Sequence, residues 1–161
     1  MTAPFVIGVD PGGTTGIAVY TGRSDSELLQ CTPGLVLPTV RTLLGVYEGA
    51  VRPGALLAVE RFVVGTRAAR SASARSGEIA RELIGALADL GPTYGVRVVH
   101  RSASEVKPWA TDKRLEAAGL LVRGMPHACD AARHALYAAV KDGGLPDPLS
   151  RKSRPAPRRT A

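Results

Sequence analysis

The sequence predicts an α/β fold in which helices pack on both faces of a five-stranded mixed β-sheet. Three short apolar segments near the N-terminus are typical of strands, and strand and helix patterns alternate after them in the order βββαβαβαα. The chain has 161 residues, of which 45% are hydrophobic. A chain of this length fits one domain, which buries about 70% of its unfolded surface and needs no disulfide or structural metal.

The first three strands are predicted to form an antiparallel meander. An apolar run that ends in an acid covers residues 4–10, and a second run covers 16–20. Pro11-Gly12-Gly13 between them is a strong turn signal, and the short connection favours a hairpin. A further turn leads to a third short strand near 28–31.

A helix over about 38–50 and a buried strand over 55–60 follow. Pro38 suits the first turn of this helix, and Pro53-Gly54 ends it. Apolar residues recur at the i, i+3, i+4, i+7 spacing of one helix face, at Val40, Leu43, Leu44 and Tyr47. The continuous apolar run at 55–60 ends in an acid and predicts a strand buried on both faces.

Strands and helices alternate in the rest of the chain. A helix is predicted over about 77–90, with Gly91-Pro92 as its stop signal, and a fifth strand over 96–100. Residues 103–108 are predicted to be irregular. Two further helices are predicted at about 112–118 and 126–141.

Positive charge is concentrated at the C-terminal end. The chain carries 21 lysines and arginines against 14 acids, a net charge of +7. Five of the basic residues fall within 151–161, which leaves the first 150 residues at +2. We predict a folded domain over 1–145 and a basic, disordered tail over 146–161. Nucleic acid is the partner that such a tail favours.

Composition also excludes several classes of protein. Two cysteines are too few for a disulfide framework or a four-ligand zinc site. The N-terminal residues lack the pattern of a signal peptide, and no apolar run reaches the length of about 18 residues that a membrane span needs. These features predict a soluble, cytoplasmic protein that has no membrane partner.

Three acids and one histidine stand out by position. Asp10 ends the first strand and Glu60 ends the fourth, while His127 and Asp130 fall near the start of the last helix. Residues three apart on a helix share a face, so the imidazole and the carboxylate point the same way. Oxygen-rich ligation suits Mg²⁺ or Mn²⁺, and two such ions per site can promote phosphodiester cleavage. The pattern predicts a metal-dependent nuclease.

Each of these residues also has a purely structural interpretation. Asp10 could be a turn former, because aspartate side chains cap the backbone that follows them. Asp130 could interact with the dipole of its own helix. Glu60 is harder to explain in this way, since an unpaired acid after an apolar strand is costly to bury. His134 either packs in the core or orients a neighbouring carboxylate.

A group of arginines lies between the fourth strand and the following helix. The stretch from 61 to 77 contains no acid and includes Arg61, Arg67, Arg70 and Arg75. These residues either bind DNA phosphates beside Glu60 or form a solvated loop. Trp109, the single tryptophan, either stacks on a base or anchors the core.

At four places the sequence resembles the RuvC family of Holliday junction resolvases. The segments are Ile7-Gly8-Val9-Asp10-Pro11-Gly12, Ala58-Val59-Glu60, Val106-Lys107 and His127-Ala128-Cys129-Asp130-Ala131. They occur in the family's order and span residues 7–131. The resemblance implies an RNase H-like fold, a homodimer and paired Mg²⁺-dependent nicks across a four-way DNA junction. The compact size and the basic tail look more like those of a phage-type member than of a bacterial one.

The resemblance also assigns residues. It implies that Asp10, Glu60, His127 and Asp130 form the catalytic, metal-binding set, and it matches the members that carry histidine at the position of His127. Lys107 and Lys113 look like the family's basic residues near the scissile strand. The family has an aromatic wedge shortly after its strand-four glutamate. Here Phe62 is the aromatic nearby, one position away from the expected register.

Three other interpretations remain open. The segment from Asp10 to Gly16 also resembles the phosphate-binding hairpin of sugar kinases and actin-like ATPases, but those enzymes close two lobes over ATP and are typically much longer. An RNA-processing RNase H-like nuclease of the YqgF kind is a second possibility. A junction-binding module without catalysis is the third.

Overall fold

The computed structural model describes residues 5–22, 26–46, 54–63 and 74–150. In these residues one mixed sheet has the strand order β3-β2-β1-β4-β5. Its strands are β1 (Val6–Asp10), β2 (Thr15–Tyr20), β3 (Glu27–Cys31), β4 (Leu56–Glu60) and β5 (Arg97–Arg101). β2 is antiparallel to both β1 and β3, whereas β4 is parallel to both β1 and β5. The predicted five-stranded mixed sheet is confirmed.

Helices cover both faces of the sheet, also as predicted. They are α1 (Pro33–Val46), α2 (Ala74–Thr93), α3 (Ala103–Val106), α4 (Asp112–Ala117) and α5 (Pro126–Lys141). One buried apolar cluster joins the sheet to α1 and α2, and a second joins it to α3, α4 and α5. None of the helices in the described ranges is both long enough and apolar enough to cross a membrane.

The alternation of side chains along the strands decides which residues face α5. Ile7 and Val9 of β1 pack in the cluster with α1 and α2. Because successive strand residues point to opposite faces, Gly8 and Asp10 are on the α5 side. Glu60 ends β4 in the same phase, so both strand-end acids lie on the face that α5 covers.

α1 begins earlier than the proline signal predicts. The helix starts at Pro33, so Pro38 lies in its second turn. A proline there removes the N–H that would bond the carbonyl of Gly34. Gly34 and Pro38 are both exposed, so water can satisfy that carbonyl. The predicted end of this helix, at 47–50, falls outside the described residues.

α2 does not stop at Gly91-Pro92 but continues to Thr93. Gly91 is buried, and a Cβ at this position would overlap the Val98 side chain of β5. The glycine therefore allows helix and strand to approach closely. The chain turns at Gly95, whose φ of +66° is a conformation that favours glycine.

The segment predicted to be irregular begins with a short helix. α3 places Val106 in the core, and the N–H of Lys107 donates to the carbonyl of Ala103. A single turn of helix is too short to produce a periodic pattern in the sequence.

Candidate active site

Asp10 and Glu60 end two neighbouring parallel strands. β1 and β4 pair in register, with Val9 opposite Val59, and each acid is the next residue along its strand. Because parallel strands end at the same edge of a sheet, the two carboxylates are neighbours there. Both side chains remain partly accessible, at 15% for Asp10 and 21% for Glu60.

α5 crosses this edge in direct contact with the strands. A Cβ added to Gly16 would overlap the carbonyl of His127, and one added to Gly8 would overlap the carbonyl of Ala131. Only glycine permits such contact between backbones. The two glycines therefore let the helix hold His127 and Asp130 beside the strand-end acids.

The N-terminus of α5 is capped by a side chain from β3. The Gln30 Oε1 atom accepts hydrogen bonds from the backbone N–H groups of His127, at 2.9 Å, and Ala128, at 3.3 Å. These bonds satisfy two of the donors that a helix leaves unpaired at its start. The sequence analysis missed Gln30, because its role depends on a contact between residues 97 apart in the chain.

Two imidazole–carboxylate pairs link α5 to the strand ends. His127 Nδ1 lies 3.0 Å from Asp10 Oδ2, and His134 Nε2 lies 3.0 Å from Glu60 Oε2. The two pairs differ in exposure: the His127 side chain is 45% exposed and that of His134 is 2% exposed. The open question about His134 is answered in part, because this buried histidine contacts a carboxylate of the candidate site.

Asp130 is held by two cationic side chains. Lys107 Nζ lies 2.9 Å from its Oδ2 atom, and Arg133 Nε lies 3.4 Å from its Oδ1 atom. Arg133 also donates to the carbonyl of Ala110, in the loop before α4, and to Asp112, the first residue of α4. Lys107, predicted as a basic residue near the scissile strand, is thus adjacent to the acids. Arg133 was not predicted.

The grouping of carboxylates affects the protonation of Asp10. The pKa of Asp10 is raised from 3.8 to about 6, mainly by burial and next by the negative charge of Glu60. The hydrogen bond and charge of His127 act in the opposite direction, and Asp130 adds a smaller upward effect. Three acids that repel one another at one edge form a site to which a cation would be attracted.

The donor set fits a hard divalent cation. Asp10, Glu60 and Asp130 offer carboxylate oxygens, and His127 offers a partly exposed imidazole. In the described ranges, no three histidine, cysteine, aspartate or glutamate side chains are arranged as a ready-made metal cage. Each carboxylate is instead bonded to a histidine or a basic side chain of the protein.

The other predicted DNA-binding residues that the structure describes are exposed or partly buried. Arg61, directly after β4, is exposed, as are Arg75 at the start of α2 and Lys113 in α4. Phe62 is partly buried, and its ring lies close to Gly77 of α2. Arg67 and Arg70 lie outside the described residues. DNA contact by all these side chains stays a prediction.

Trp109 is partly buried and packs against side chains of the protein. The Arg114 guanidinium lies over the ring, 4.6 Å from the ring centre. Lys141 Nζ lies 5.2 Å from the same centre. Tyr137 meets it edge-on at 5.4 Å. These contacts favour the anchoring interpretation over stacking on a base.

The chain after α5 stays in contact with the domain. Arg101 forms two hydrogen bonds with Asp142, at 2.6 and 2.9 Å. Arg114 pairs with Asp147 at 3.0 Å. The domain boundary at 145 stays a prediction, and the five basic residues of the tail fall outside the described residues.

The strand order and the two helical layers define an RNase H-like fold. A solved structure that the chain resembles is that of RuvC from T. thermophilus in complex with a Holliday junction substrate, with a TM-score of 0.56 and 21% sequence identity. The match covers 85% of this chain and 96% of the RuvC chain. At this identity the likeness shows the RuvC-like fold. No family model and no curated protein matches the sequence.

Proposed function

We propose that the chain is a metal-dependent endonuclease that resolves four-way DNA junctions, and related branched DNA, by paired phosphodiester nicks. The observation that carries the proposal is the meeting of Asp10, Glu60, His127 and Asp130 at one edge of an RNase H-like fold. The likeness in fold to a RuvC bound to a Holliday junction supports the choice of substrate. The proposed setting is the cytoplasm of a bacterial or phage-infected cell.

We assign the metal site to the same four residues. The carboxylates of Asp10, Glu60 and Asp130 would together hold two Mg²⁺ ions, for which Mn²⁺ could substitute. When bound, these ions supply charge neutralisation and Lewis-acid polarisation for phosphodiester hydrolysis. His127 would serve either as a further ligand or as a proton carrier for the attacking water.

The protein's own groups orient and hold the reactants. Gln30 fixes the start of α5, so His127 and Asp130 keep their places over the strand ends. The exposed Lys107 amine, 2.9 Å from Asp130, is close enough to contact a phosphate oxygen at the same edge. Arg61, Arg75 and Lys113 would add phosphate contacts that position the DNA without reading its sequence.

Paired nicks require two active sites. A four-way junction has symmetric strands, and a homodimer with a two-fold axis presents two identical sites to them. We therefore propose that the active species is a homodimer.

The decisive experiment compares cleavage of a labelled four-way junction with cleavage of a linear duplex of matched sequence, in Mg²⁺ and in EDTA. We expect Mg²⁺-dependent paired nicks on the junction alone. Asp10→Asn should reduce their rate by about 10³-fold or more, because it removes the central carboxylate of the cluster. Junction binding by this variant in EDTA should be near normal.

Asp89→Asn is the matched control, since Asp89 is an exposed acid on α2, away from the strand ends. It should cleave like the wild type. Cleavage retained by Asp10→Asn would remove Asp10 from the mechanism. Junction binding without nicking by the wild type would favour a non-catalytic module, and activity confined to RNA would favour the YqgF kind of nuclease.

A further inference from the structure

His134 is a buried imidazole in a helix face made of small apolar side chains. Ala131, Ala135 and Ala138 of α5 are at most 1% exposed, and His134 itself is 2% exposed. Within the described ranges, Thr15 is the one other buried polar side chain. Burial of an imidazole is costly without a hydrogen-bond partner, whereas an apolar residue would satisfy this face. A specific contact is therefore needed to account for histidine here.

That contact is with Glu60. His134 Nε2 lies 3.0 Å from Glu60 Oε2 across 74 residues of sequence. An ionised carboxylate can only accept, so Nε2 carries the hydrogen and donates it. The bond engages one of the two carboxylate oxygens, and the other keeps its lone pairs for a cation.

We propose that His134 is a positioning residue that fixes the Glu60 carboxylate for metal binding. The inference rests on the proposed role of Glu60 as a metal ligand. A free glutamate side chain loses rotamer entropy when it is fixed, and a hydrogen bond formed before the metal arrives reduces that loss at the binding step. His127, by contrast, is 45% exposed and can meet solvent or substrate directly.

The test measures Mn²⁺ affinity of the full chain without DNA, by electron paramagnetic resonance and calorimetry. His134→Leu keeps an apolar group in the buried position and removes the donor. We expect it to weaken Mn²⁺ binding by about 10- to 100-fold, the usual effect of losing a residue that supports a metal ligand. His134→Gln can place an amide N–H near the position of Nε2, so it should bind Mn²⁺ almost as the wild type does.

Two comparisons separate positioning from a general structural role. In a Glu60→Gln background, His134→Leu should cause little further loss of Mn²⁺ affinity, because the partner on which it acts is already changed. Cleavage of the junction by His134→Leu should recover at high Mn²⁺ concentration, so that the metal requirement rises while the maximal rate changes little. His100→Gln, at an exposed histidine of β5, is the matched control and should behave as the wild type.

Several results would overturn the inference. An unchanged Mn²⁺ affinity in a folded His134→Leu variant would do so, as would an equal loss in His134→Gln. Failure of the wild type to bind Mn²⁺ would also do so. The proposed function fails separately: a wild type that binds Mn²⁺ but cleaves no branched DNA would reject the nuclease and leave the role of His134 supported by the binding data.

Discussion

The two faces of the sheet are packed with side chains of different size. Under α1 and α2 the buried strand residues are large and mostly branched: Ile7, Val9, Ile17, Val19, Leu57 and Val59. On the other face the strands contribute Gly8, Gly16, Ala18 and Ala58 beside the larger Val6, Tyr20 and Leu56, and α5 contributes six buried alanines. The small residues of the second face bring backbones into contact at Gly8 and Gly16.

The difference separates residues that mainly stabilise the fold from residues that allow α5 to position the candidate site. Large apolar side chains stabilise a domain through the area that they bury. Small ones contribute less, but they let α5 approach the strands closely enough for its polar residues to reach the strand ends. His127 and His134 each bond to an acid there at 3.0 Å. Bulk on the α5 face would separate these pairs.

The largest expected effect is therefore that of a methyl group added under α5. Gly16→Ala places a Cβ on the carbonyl of His127, and neither backbone can yield without moving the helix. We expect a loss of about 3 kcal/mol or more in the free energy of unfolding, at the upper end for overpacking. Urea denaturation measures this loss, and any folded fraction should bind Mn²⁺ weakly.

Gly13→Ala provides the matched control in the same hairpin. Gly13 is exposed, and a Cβ added there meets no atom within 4 Å. Its stability should stay close to that of the wild type. If Gly16→Ala were equally harmless, α5 would not be in backbone contact with β2, and the comparison between the two faces would fail.

The next largest expected effect is the pH dependence of stability that Asp10 causes at the edge of the sheet. The pKa of Asp10 rises from 3.8 to about 6 on folding, so the folded state holds a proton that the unfolded state releases. The stability contributed by this group is therefore present below about pH 4 and is lost as pH rises through about 6. In EDTA at pH 8, Asp10→Asn should raise the free energy of unfolding by about 1–3 kcal/mol, because it removes this loss.

Urea denaturation of both proteins between pH 4 and pH 8 checks the sign. The gain from Asp10→Asn should shrink as the pH falls below about 6 and disappear near 4. Asp89→Asn controls for the removal of one negative charge elsewhere. A loss of stability in Asp10→Asn at pH 8 would mean that the bond to His127 outweighs burial and repulsion, so that the site is already stable without a cation.

The sequence predicts the candidate metal ligands better than the residues that hold them in place. An apolar strand that ends in an acid is a local signal, so the sequence alone is enough to predict β1, β4, Asp10 and Glu60. His127 and Asp130 follow from their helical spacing. Gln30, Arg133 and the role of His134 depend on contacts between segments distant in the chain, for which neither composition nor periodicity gives a signal.

Helix boundaries show a similar division. Glycine and proline at 91–92 are typical of a helix end, but Gly91 is used here for close packing against Val98, and the helix continues. A local breaker signal cannot distinguish a turn from a close contact, because both need a residue without a side chain.

The smallest expected effect is on α2, where the same substitution should have the opposite sign. Gly85 is exposed in the interior of the helix, and a Cβ added there meets no atom within 4 Å. Gly85→Ala should therefore raise the free energy of unfolding by about 0.5–1 kcal/mol, since alanine restricts the unfolded chain and favours the helix. Urea denaturation measures the gain, and Mn²⁺ affinity should not change. If Gly85→Ala lowered stability as Gly16→Ala does, the loss in Gly16→Ala could no longer be attributed to the contact with the His127 carbonyl.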